Sequence, residues 1–113
     1  MVSKSAFFKK VNNIRDAMKE MLSALDYMHR QGIMHRDISS ANIMMNDESE
    51  IKIIDFDQAT YLSPNHPLSH RVGTVGYKAP ELLLEQSAYD YRADIFSAGC
   101  VLADLLFCSH NTR

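Results

Sequence analysis

The chain has 113 residues, enough for one modest domain and no second core. Its 46% hydrophobic and 23% charged content excludes collagen-like, mucin-like and intrinsically disordered classes. Twelve basic against fourteen acidic side chains leave a net charge of −2, which gives no electrostatic footprint for a phosphate backbone or an anionic membrane, so neither nucleic acid nor membrane is expected as a partner.

The first ten residues, Met1 to Lys10, carry charge and lead into Val11-Asn12-Asn13-Ile14-Arg15 without an apolar run, so no signal peptide is expected. Phe7, Val11, Ile14, Met18, Met21, Leu25 and Met28 follow spacings of four and three, which predicts one face of a helix closed by Gly32. The same spacing is a short coiled-coil seam. Methionine at Met18, Met21 and Met28 specifies a partner helix poorly, so packing into a globular core is favoured.

After Gly32 the pattern shortens to two apolar runs, Ile43-Met44-Met45 and Ile51-Lys52-Ile53-Ile54, which predict a β-hairpin around Asn46 to Glu50. From Gln58 to Lys78 the chain reads as a long functional loop, with Pro64 and Pro67 breaking any regular element. A second helix is predicted from Tyr91 or Arg92 to about Phe107, apolar nearly all the way round and hence fully buried. It is too short to cross a bilayer, and Asp104 interrupts it. Cys100 and Cys108 would lie about 12 Å apart along it, beyond disulfide reach. Reduced thiols point to an intracellular setting, cytoplasmic or nuclear. Asp94 lies inside this apolar helix and should be holding something; the alternative is a first-turn acid satisfied by free helix N–H groups.

The run His35-Arg36-Asp37-Ile38-Ser39-Ser40-Ala41-Asn42 puts a carboxylate five residues before an amide, and Asp55-Phe56-Asp57 adds acids where the second strand ends. The hairpin return brings Asp37, Asn42 and Asp55 to the same end. Hard oxygen ligands converging there suit magnesium carrying phosphates. Other constellations are weaker. His66 and His70 have Pro67 between them and no third ligand for zinc, no Gly-x-Ser-x-Gly elbow supports a hydrolase triad, and Gly73-Thr74-Val75-Gly76 lacks the basic surroundings of a nucleic-acid clamp.

These residues resemble the C-terminal lobe of a eukaryotic protein kinase of the serine/threonine type, over about residues 12–108. His35-Arg36-Asp37 with Asn42 resembles the catalytic loop and Asp55-Phe56-Asp57 the metal-binding triplet. Ala79-Pro80-Glu81 is similar to the end of the activation segment, and Asp94 to Gly99 to the start of the central helix. The resemblance implies a mainly helical α+β fold: part of a lobe, with helix, catalytic loop, hairpin, activation segment and buried central helix. It also implies Asp37 as the base, Asn42 and Asp55 as holders of Mg2+ and ATP, and a protein hydroxyl as acceptor. Arg36 would pair with a phosphorylated activation segment, with Ser69 as the first candidate and Thr60, Ser63 and Thr74 as rivals. His35, Glu81 and Asp94 would give structural support.

Two departures stand out. Ser39 occupies the position of the usual lysine that neutralises phosphoryl charge, and Asp57 occupies the position of a usual glycine. The glycine-rich loop, strand lysine and glutamate of the small lobe are expected to be absent, as are the later helices of the large lobe. The chain alone is therefore expected to be inactive, needing the rest of a kinase or a partner chain. The runner-up is a pseudokinase-like interaction module without catalysis, and the third reading is a helical protein that oligomerises through the Phe7 to Met28 seam.

Overall fold

Helix α1 spans Val11–Arg30 in the computed structural model, which describes residues 11–45, 50–64, 67–86 and 88–110. The expected face is the buried one: Ile14, Met21, Leu25 and Met28 are inside, whereas Arg15, Asp16, Lys19 and Glu20 face solvent. Phe7, also placed on that face, lies outside the described residues. His29 and Arg30 fill the last turn, where cations complement the helix dipole. Gly32 follows at φ 79°, a left-handed conformation that glycine adopts without the usual Cβ clash, and its N–H closes the turn on the carbonyl of His29.

The chain then enters β1 (Ile33–Met34), passes a single 3-10 turn at Ser40–Asn42, and forms the hairpin of β2 (Ile43–Met45) and β3 (Ile51–Ile53). The pairing is antiparallel, with Ile43 opposite Ile53 and Met45 opposite Ile51. The second strand ends one residue sooner than expected, and Ile54 instead donates its N–H to the carbonyl of Asn42. Most of the loop between these strands lies outside the described residues.

Within the segment expected to be irregular, Thr60–Tyr61 forms β4, antiparallel to β1 with Met34 opposite Thr60. A two-residue strand is too short to leave a periodic signature, so only the tertiary pairing reveals it. The short helix α2 (Pro80–Leu83) starts on a proline, whose missing N–H costs nothing in a first turn. Helix α3 runs Arg92–His110, and both Cys100 and Cys108 are free thiols. No helix among the described residues is long and apolar enough to cross a membrane.

One core joins α1, the hairpin and α3 through Met21, Leu25, Met28, Ile38, Ile43, Ala98 and Val101. The seam of α1 is thus filled by the chain's own residues rather than left for a partner helix. A second cluster, Met34, Leu68, Val72, Ala79, Leu82, Tyr89 and Ala93, seats the 67–82 segment against the start of α3.

The expectation of a fully buried α3 is corrected. Ala98 and Val101 are inside, but Ile95, Phe96 and Leu106 are exposed and Phe107 is 68% exposed. The helix packs on α1 along one side and on the 67–82 segment along another. The described residues supply no third layer for the rest of its apolar surface.

Candidate active site

The site is assembled on Asp94, in the first turn of α3. Its side chain is almost wholly buried, a placement tolerated only when both carboxylate oxygens are hydrogen-bonded. Oδ2 accepts the N–H of His35 and Oδ1 the N–H of Arg36, each at 2.9 Å. His29 Nε2, from the last turn of α1, donates to Oδ2 at 2.9 Å, and the His29 ring lies 4.8 Å from that of Tyr91. Asp94 therefore clamps the chain at His35-Arg36, as the cost of burying its charge demanded. The first-turn alternative accounts for none of these partners. Arg36 sits at φ 72°, a left-handed strain that the paired bonds to Asp94 hold in place.

His35 is fully buried and its partners fix its tautomer. Nε2 donates to the carbonyl of Ile54 at 2.9 Å, so Nδ1 is free to accept the N–H of Asp37 at 3.1 Å. The neutral ring thus ties Asp37 to the end of the hairpin. Phe56 packs edge-on against it, with centroids 4.9 Å apart.

Asp37 and Asn42 meet as expected. Asn42 Nδ2 donates to the carbonyl of Asp37 at 2.9 Å and to Asp37 Oδ2 at 3.2 Å. The other carboxylate oxygen, Oδ1, accepts the hydroxyl of Thr74 at 2.6 Å. With its amide nitrogen spent on Asp37, Asn42 retains its Oδ1 as a further acceptor. Asp55 follows Ile54, and so lies one residue from the Asn42–Ile54 backbone bond. It is exposed, at φ 62°, and its carboxylate accepts the N–H of Asp57 at 3.4 Å. No side-chain bond joins Asp55 to Asn42 among the described residues. The structure brings Asp37 and Asn42 together directly and leaves Asp55 beside them.

Ser39 is 2% exposed. No ion pair to Asp37 occurs among the described residues. A crevice between the loop and the 72–78 segment is lined by Arg36, Asp37, Gly73, Thr74, Tyr77 and Lys78. Gly73 is required there: at φ 93°, an added Cβ would come within 3.1 Å of the Lys78 side chain and 3.3 Å of the Arg36 carbonyl.

Further contacts join the segment to the loop. Arg36 Nε donates to the carbonyl of Gln58 at 2.7 Å and Nη1 to the Tyr89 hydroxyl at 3.1 Å. Gln58 Oε1 accepts the N–H of Gly73 at 2.7 Å. The Tyr89 hydroxyl donates to the carbonyl of Ser69. Ser69 itself is exposed, and its hydroxyl accepts the N–H of Arg71 at 3.0 Å. Glu81 occupies the first turn of α2.

On α3, Asp104 accepts the hydroxyls of Ser40, at 2.6 Å, and of Tyr77. The Asp104 hydrogen bond is the largest influence raising the Tyr77 pKa above its ordinary 10.0, because ionising the phenol would remove the proton it donates to the carboxylate; burial and the Asp104 charge add smaller upward pushes. Ser97 donates to the carbonyl of Tyr77 at 2.5 Å.

His29, Gln58 and Tyr89 are the contributors that sequence reasoning missed. His29 stands four residues after Leu25, on the buried side of α1, and a polar residue at that register was a usable signal. Gln58 and Tyr89 act from irregular segments, where no periodicity marks them.

The protein kinase domain family matches residues 1–112. A probable serine/threonine-protein kinase of Arabidopsis thaliana is 42% identical over 97 residues, covering 84% of this chain and 17% of that protein. A probable casein kinase II subunit alpha homolog of Encephalitozoon cuniculi is 46% identical over 96 residues, covering 84% of this chain and 30% of that protein. The chain thus spans less than a third of the length of these curated relatives. With a match to nearly every residue and kinases among its relatives, the chain belongs to the protein kinase family.

Proposed function

We propose that this chain forms the catalytic loop, metal-binding triplet and activation segment of a serine/threonine protein kinase, whose whole protein transfers the γ-phosphoryl group of ATP to a protein hydroxyl. The arrangement of Asp37 carries this reading. Its carboxylate is fixed from one side by Asn42 and from the other by Thr74, and its backbone N–H is held by His35. A carboxylate so oriented can align an acceptor hydroxyl and take its proton as phosphoryl transfer proceeds.

The donor chemistry fits magnesium and a nucleotide. Asn42 Oδ1 and the exposed Asp55 carboxylate are hard oxygen ligands at adjoining points of the backbone, the donor type this ion prefers. Magnesium bound there would bridge ATP phosphates and offset their charge. Asn42 orients Asp37 through its nitrogen while offering oxygen to the ion. Arg36 and Ser69 form the proposed regulatory pair, supported by their link through Tyr89. His35, Glu81 and Asp94 give structural support.

Phosphoryl transfer by the full-length protein tests the proposal. Asp37→Asn should lower transfer by about 10²-fold or more, the scale of a lost general base, while leaving the fold intact. Transfer unchanged by Asp37→Asn would remove Asp37 from this role.

The second reading, a pseudokinase-like interaction module, rests on Ser39. A buried hydroxyl supplies no cation beside the reacting phosphoryl group, and one lost electrostatic contact of this type costs about 2.7–4 kcal/mol. On that reading the protein binds a partner, and Asp55→Ala leaves the binding unchanged. Partner binding lost together with magnesium binding would exclude it.

A further inference from the structure

We propose that Tyr89 is a positioning residue that holds Arg36 and the 67–73 segment together without any phosphoryl group on that segment. This goes beyond the kinase reading and stands independently of whether the protein transfers phosphate, because it rests on hydrogen bonds within the chain.

An arginine beside a catalytic carboxylate is usually discussed as a receiver of phosphate, since its planar fork of donors suits anionic oxygens. Here the fork is already engaged by neutral acceptors. Nε is spent on the Gln58 carbonyl and Nη1 on the Tyr89 hydroxyl. The phenolic oxygen both accepts from Arg36 and donates its own hydrogen to the Ser69 carbonyl. A hydroxyl can do both at once, whereas a phenylalanine ring or a carboxylate cannot. The Tyr89 ring is buried in the cluster with Leu68, Val72 and Ala93, so the hydroxyl is aimed by packing.

The tether has a second strand. Gln58 receives Arg36 on its backbone carbonyl and Gly73 on its side-chain oxygen, at 2.7 Å each. Arg36 is therefore linked to the two ends of the stretch from Ser69 to Gly73, through Tyr89 at one and Gln58 at the other. Thr74, which follows Gly73, bonds Asp37. Order in the segment thus reaches the candidate base through uncharged groups. A phosphate on Ser69 would add to this order, not create it.

The test uses the full, unphosphorylated chain and Tyr89→Phe, which keeps the buried ring and deletes only the hydroxyl. Amide hydrogen exchange reports the segment, and nitrogen-15 NMR of the arginine side chains reports the guanidinium. In the parent chain, the Arg71 and Gly73 amides, bonded to Ser69 Oγ and Gln58 Oε1, should be protected and the Arg36 side-chain N–H signals visible. In Tyr89→Phe, exchange of those amides should rise at least tenfold relative to Leu25 and Val101 in the main core. The Arg36 Nη signal should be lost while its Nε signal, held by Gln58, persists. Unchanged segment exchange would overturn the proposal, as would an equal rise in segment and core, since the hydroxyl would then serve overall stability alone. An unphosphorylated parent chain whose segment amides exchange at unstructured rates would also overturn it. A kinase assay plays no part in these outcomes, so failure of the catalytic reading is separately visible.

Discussion

Asp94 shows how one side chain can set a local geometry. It accepts two consecutive backbone N–H groups and a histidine from another helix, and an apolar helix tolerates its charge only because all three are present. Asp94→Ala leaves the buried His35 amide and the half-buried Arg36 amide without acceptors, and since a fully buried one is worth about 1–3 kcal/mol, a loss of about 2–4 kcal/mol is expected in urea unfolding. Asp94→Asn keeps one acceptor oxygen and should lose less. Equal, small losses for both would mean that the clamp contributes little. At Gly73 the expectation is steric: Gly73→Ala meets Lys78 and the Arg36 carbonyl at a positive φ, and should cost at least about 1 kcal/mol by the same measurement.

Among the elements, α3 is the frame on which the others are hung. Its first turn holds the backbone of His35 and Arg36 through Asp94, Ser97 holds the carbonyl of Tyr77, and Asp104 gathers Ser40 and Tyr77. The Tyr77 contact carries a pH dependence with a definite sign. Its folded pKa lies above the unfolded 10.0, so the contact contributes full stability below about pH 10 and loses it as pH rises through the raised value. Asp104→Ala removes the acceptor of the Tyr77 hydroxyl together with the carboxylate charge, and Tyr77 should then titrate closer to 10.0, as read by NMR of its ring against Tyr77→Phe for assignment. No movement of the Tyr77 titration would show that Asp104 does not govern it.

At the scale of the molecule, what was legible follows from which forces are periodic. The α1 face and the hairpin repeat with the helix or strand period and appear in the structure on the predicted residues, the second strand one residue shorter; α3, read from its apolar run, starts at Arg92 as expected and continues to His110 rather than ending at about Phe107. The Asp37–Asn42 pairing was legible for another reason: the two lie five residues apart in the loop ahead of the hairpin, close enough along the chain for one side chain to reach the other. Strand β4, Gln58 and Tyr89 were not legible, since each gains its role from a residue far away in the chain. The exposed side of α3 was misjudged because apolar composition reports what a helix can bury and says nothing of what is there to bury it. That side, from Ile95 and Phe96 to Leu106 and Phe107, should bind an apolar dye such as ANS in the chain on its own. Polar replacement of Phe107 should reduce the dye fluorescence, and unchanged fluorescence would place the dye elsewhere.

We propose that this loop, with Asp37 oriented and Ser39 in place of the usual lysine, belongs to a working phosphotransferase. The most direct measurement is incorporation of labelled γ-phosphate from ATP into a protein acceptor by the full-length protein, comparing the parent sequence with Ser39→Lys and Asp37→Asn. Slow transfer by the parent is expected, faster transfer by Ser39→Lys by up to about 10²-fold, and loss with Asp37→Asn. No transfer by the parent or by Ser39→Lys, with magnesium and ATP present, would contradict it and leave the binding module as the function.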